Sequence, residues 1–141
     1  MGKKAEKKTE PVVEVSIDRN KPGWFIDLEW YRENNRSFFN LAKGYLCPEC
    51  REQLWQEVSP EEIFATIKSC CSQKQGFFTS KLPVLDSIFR LFLANGNQPL
   101  ELEELAQQLS ERREDTYHIP TESLSRLLED EQYYGIRHTS G

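Results

Sequence analysis

The sequence predicts a mainly α protein with short β segments. Three observations lead there. Between Pro83 and Asp130, three runs carry apolar residues at helical spacing. Upstream, Ser59-Pro60-Glu61-Glu62 has the composition of a helix start. Strand-like alternation is confined to brief runs, one near each end of the chain.

In chain order, residues 1–11 carry Lys3, Lys4, Lys7 and Lys8 against Glu6 and Glu10. With no hydrophobic period they read as a disordered basic tail. Val13, Val15 and Ile17 alternate with polar residues, which suits a short strand or extended arm. Asn20-Lys21-Pro22-Gly23 is a turn signal. Trp24, Phe25, Trp30, Tyr31, Phe38, Phe39 and Tyr45 then form a dense run of rings. Its helical pattern runs from Leu28 to Lys43 with a break near Asn34-Asn35. Rings bury large apolar areas, so the run is expected in a core. Behind the Ser59 cap, Ile63, Ile67, Cys70 and Cys71 share one helix face. The expected division is residues 12–80 as an aromatic-rich helical module with a cysteine site, 81–137 as a three-helix domain, and 138–141 as a flexible end.

Hydrophobic residues make up 38% and charged residues 29% of the 141, the balance of a water-soluble domain. The densest apolar stretch, Val84 to Ala94, is too short to span a bilayer. No apolar stretch follows the N-terminal lysines, so no secretory leader is expected and the cytoplasm is the expected location. Thiols stay reduced there, and the four cysteines are therefore read as metal ligands or core residues rather than disulfides.

Leu46-Cys47-Pro48-Glu49-Cys50 sets two thiols at a spacing that lets backbone N–H groups point at the sulfurs. The segment resembles the zinc knuckles of ribbon and treble-clef modules. That resemblance implies a structural Zn²⁺ closed by four ligands. Cys70 and Cys71 are the candidates for the second half, but they are adjacent. On an α-helix they would point about 100° apart, so both reach one ion only if the helix frays there. The alternatives are core packing for Cys70 and Cys71, an iron–sulfur cluster, or a redox pair.

In the C-terminal part, Leu85, Ile88, Phe89, Phe92 and Leu93 form one stripe ending at Asn95-Gly96. Leu102, Leu105, Ala106 and Leu109 form a second. Leu124, Leu127 and Leu128 form a third, and a strand is expected over Tyr133–Arg137. The order helix, short strand, helix, helix, strand is carried by Pro99–Ala106, Thr121–Leu128 and Tyr134–Arg137. It resembles winged helix-turn-helix domains. Two features depart from that pattern: a long link over Ser110–Ile119, and too little chain after Gly135 for a wing hairpin.

The resemblance implies that the third helix faces a partner, through Thr121, Glu122, Ser125, Arg126 and Glu129. Charge weighs on what that partner is. Residues 1–81 hold 13 basic and 12 acidic side chains (+1), and residues 82–141 hold 5 and 11 (−6). A duplex reader presents cations to phosphates, whereas this helix offers Arg126 among Glu122, Glu129 and Asp130. A protein partner is expected. Nucleic-acid contact would fall to the N-terminal half, and winged helices also pair as homodimers. His118 and His138 show no metal spacing, and no phosphate loop or nucleophile motif is present, so no enzyme is expected. The sequence reading is a zinc-binding winged-helix adaptor or regulator, by analogy associated with transcription. The alternatives are a direct DNA- or RNA-binding regulator and a structural homodimer.

Overall fold

The computed structural model describes residues 22–54, 56–114 and 118–139. The expected basic tail and the Val12–Ile17 arm lie outside them. Among the described residues the chain is mainly α with one small sheet, as its patterning implies. In order come β1 (Gly23–Ile26), α1 (Leu28–Glu33), α2 (Phe38–Ala42), α3 (Pro48–Gln53), α4 (Pro60–Ser69), α5 (Val84–Ala94), α6 (Leu102–Arg113), α7 (Thr121–Asp130) and β2 (Ile136–Thr139).

Local chemistry sets most of the boundaries. Asp27 caps α1 through its side chain, and Ser37 and Ser59 do the same for α2 and α4. The expected break at Asn34-Asn35 is present, with Asn35 in the left-handed region at φ 55°. Glu104 reaches back to the Glu101 N–H at 3.0 Å to secure the start of α6. α6 runs on through Arg113, so the first four residues expected in the long link are helical, and Glu114 ends the helix at φ 59°.

α5 is the hub. Its expected single stripe is broader in the fold: Ser87, Ile88, Phe89, Leu91, Phe92, Leu93 and Ala94 are all buried. A helix packed on several sides buries most of its circumference, and α5 packs on α4, α6 and β1. Five of the seven rings expected in the core are buried there, Trp24, Trp30, Tyr31, Phe38 and Phe39, while Tyr45 packs half-buried against it and Phe25 is half-buried. Phe38 stands edge-on to Phe89 of α5, with ring centroids 6.4 Å apart.

The sheet joins the two ends of the described chain. β1 pairs antiparallel with β2, Gly23 opposite Thr139 and Ile26 opposite Ile136. On its other side, Trp24 exchanges two backbone hydrogen bonds with Leu100, at 2.8 and 3.0 Å. The closing strand therefore lies further along than Tyr133–Arg137. His138 and Thr139, expected in a flexible end, sit in it because β1 offers an edge to pair with. The boundary expected near residue 80 is not a seam in packing. One buried cluster runs from Trp24 through Cys71 to Ile136.

Candidate metal centre

Each cysteine is placed by a helix end. Cys47 is the N-cap residue of α3, with Pro48 opening the helix, and Cys50 lies in its first turn. On the other side α4 stops at Ser69. Cys70 leaves helical geometry at φ −134° and ψ −67°, and Cys71 begins a 3-10 turn over Cys71–Gln73. That break removes the obstacle of adjacent helical positions. All four sulfurs lie within 4.8 Å of one another.

The spacing suits a tetrahedral thiolate site, whose sulfurs would stand about 3.8 Å apart given metal–sulfur bonds near 2.3 Å. The Cys47 and Cys70 sulfurs are 3.9 Å apart. The Cys47 N–H donates to the Cys71 sulfur at 3.2 Å. Cys50 and Cys71 are buried, and Cys47 and Cys70 are half-buried. Four cysteines so arranged could hold a metal ion.

Their electrostatics differ. The Cys50 backbone N–H pulls the Cys47 thiol down to about 7, aided by the neighbouring cysteine side chains and opposed by burial. Burial pushes Cys50 and Cys71 up. Close thiolates repel one another, so full ionisation of such a cluster calls for a cation at its centre.

Residues that the sequence reading did not assign to this site hold it together. Lys74 donates to Glu49 at 2.9 Å, tying the turn after Cys71 to α3. This pairing raises Lys74 and lowers Glu49. Arg51 donates to the carbonyls of Gly44 and Leu46, at 3.3 and 3.0 Å, fixing the loop before Cys47. Tyr45 donates to Asp86 at 2.7 Å, and Asp86 also accepts from Arg90 at 2.7 Å. Arg90 reaches the Phe77 carbonyl at 3.1 Å. These contacts lock the cysteine turns onto α5. The i,i+4 spacing of Asp86 and Arg90 is visible in the sequence; the contacts of Tyr45, Arg51 and Lys74 carry no local signal. A cavity of about 230 Å³ abuts the cluster, with Tyr45, Cys47, Cys71, Lys74, Phe77 and Arg90 among its walls.

The other candidate residues lie elsewhere, on α7. Glu122, Arg126 and Glu129 are exposed, and Thr121 and Ser125 are half-buried. Ser125 donates to Glu129 at 3.1 Å. Leu127, expected in the apolar stripe, is 38% exposed and stands among them. His138 meets Glu101 at 3.0 Å and stacks edge-on against Trp24. Among the described residues no helix is long and apolar enough to cross a membrane.

The chain matches no protein-family model, and neither curated proteins nor solved structures provide a match.

Proposed function

We propose that the chain is a non-enzymatic, zinc-stabilised adaptor of winged-helix type that works in the cytoplasm and docks a protein partner. The convergence of four sulfurs within 4.8 Å carries the zinc reading. Cys47, Cys50, Cys70 and Cys71 would hold the ion. Bound there, Zn²⁺ supplies a cross-link between α3 and the end of α4, not reaction chemistry, since a closed four-thiolate site leaves no open position.

The winged-helix reading rests on α5, α6 and α7 and the strand positions around them. Leu100 lies between α5 and α6, and β2 follows α7. β1 lies between Leu100 and β2, paired to both. The strand that a wing hairpin would supply from downstream thus comes from upstream of the helices. The partner reading rests on α7, where Glu122, Glu129 and Asp130 outnumber Arg126 around the exposed Leu127. An acidic face with an exposed leucine suits a basic, partly apolar protein surface better than phosphates.

Metal analysis of protein purified without chelator is expected to find one zinc per chain. Less than half an equivalent would sink the zinc reading. Affinity purification from the native cell with nuclease treatment is expected to retain a protein partner, and charge reversal at Glu129 to weaken its capture. Tight duplex binding near 0.15 M salt, about the physiological level, that is lost on Arg126→Glu would overturn the adaptor reading.

A further inference from the structure

We propose that Cys47 and Cys70 are a peroxide-reactive pair, the first to be joined as a disulfide, so that the metal centre is also a site of reversible oxidative modification. The choice of pair rests on access and distance. Cys47 and Cys70 are half-buried, whereas Cys50 and Cys71 are 7% and 1% exposed. An oxidant arriving from solvent meets the first two. Their sulfurs lie 3.9 Å apart on different segments, and a disulfide needs about 2 Å. Cys70 has left the helical backbone of α4, so its side chain can close that gap without unwinding a turn.

The competing pairs are worse placed. Cys50 sits buried in the first turn of α3. The Cys71 sulfur already accepts the Cys47 N–H. Joining adjacent Cys70 and Cys71 would strain the peptide unit between them.

The chemistry balances with hydrogen peroxide as oxidant. The Cys47 thiolate attacks one peroxide oxygen, forming an S–O bond as the O–O bond breaks and hydroxide leaves. The Cys70 thiol then attacks that sulfur, forming the S–S bond as the S–O bond breaks and water leaves. Two sulfurs lose two electrons, and one peroxide is reduced. Cys47 and Cys70, once joined, would no longer be available to hold an ion, leaving Cys50 and Cys71 as its only thiolate ligands. The new bond then ties α3 to the end of α4 in its place. A dithiol reverses the step.

This inference shares its residues with the zinc reading, but the pair selection does not need the ion. The full chain, as purified and after chelator treatment, is exposed to peroxide below one equivalent. Linked peptides are mapped by mass spectrometry, and released zinc is read with a colour-forming chelator. Expected are a Cys47–Cys70 peptide as the first linkage in both samples, one zinc released per disulfide in the loaded one, and reversal by dithiothreitol. Cys50→Ser keeps the pair and should keep the linkage. First linkage at Cys47–Cys50 or Cys70–Cys71, or irreversible oxidation without a disulfide, overturns the inference. A chain that carries no zinc as purified, before any chelator, yet links Cys47 to Cys70 refutes the zinc reading alone. A zinc-loaded chain that links otherwise refutes this one alone.

Discussion

Asn97 does with one side chain what a neighbouring strand does with its backbone. Buried beside β1, it accepts the Ile26 N–H at 2.8 Å and donates to the Ile26 carbonyl at 2.9 Å. It holds the left-handed region at φ 63°, a conformation asparagine tolerates better than most residues. Asn97→Ala leaves two buried backbone groups unpaired and loses the tolerance of the left-handed region that asparagine has. It is expected to cost about 3 kcal/mol or more, read by denaturant unfolding. Asn97→Gly relieves the backbone but not the lost bonds, so it should cost less than alanine. If the two variants unfold alike, the backbone term is absent. Gly135 makes a second close approach. A Cβ there would stand 2.7 Å from the Trp30 ring and 2.8 Å from the Tyr31 ring, at φ +71°. Both rings are buried and cannot step aside freely. Gly135→Ala is expected to lose about 2–4 kcal/mol through overpacking and strain, measured the same way.

At the scale of elements, α4 shows how a short helix positions chemistry. The Ser59 hydroxyl accepts the Glu62 N–H at 3.2 Å and fixes where the helix begins. The departure at Cys70 fixes where it ends. Ser59→Ala should cost about 1 kcal/mol of stability. The Lys74–Glu49 clamp is closer to the cysteines but lies in solvent, with side chains 47% and 74% exposed. Exposed pairs contribute little, so Lys74→Ala should leave stability nearly unchanged. A larger loss in thermal melts would mean that the clamp carries the turn after Cys71.

At the scale of the whole molecule, the two halves share one core. β1, from the N-terminal side, lies between Leu100 and β2, and α5 meets both Phe38 and α6. Unfolding is therefore expected as a single cooperative transition, with ring absorbance and helix content lost together. Two transitions would show that the halves are independent. If the cysteines hold the proposed ion, chelation should lower that one transition as a unit, because a metal cross-link at α3 and α4 would stabilise everything coupled to them.

The helices of the C-terminal part, the cap at Ser59 and the burial of most of the ring cluster were legible in the residues. These features are local: an apolar stripe or a cap is encoded within a few turns of chain. The Cys47–Cys50 half of the site was legible for the same reason. Cys70 and Cys71 were legible as the other two ligands on the condition that the helix frays there, and the fold meets that condition. What the residues do not encode is the pair of backbone angles at Cys70 that lets both sulfurs converge, with the Cys71 sulfur accepting the Cys47 N–H. The pairing of β1 with β2 and the brace from Asn97 were equally hidden. A period says which face an element buries, and it carries no information about which distant element will cover that face.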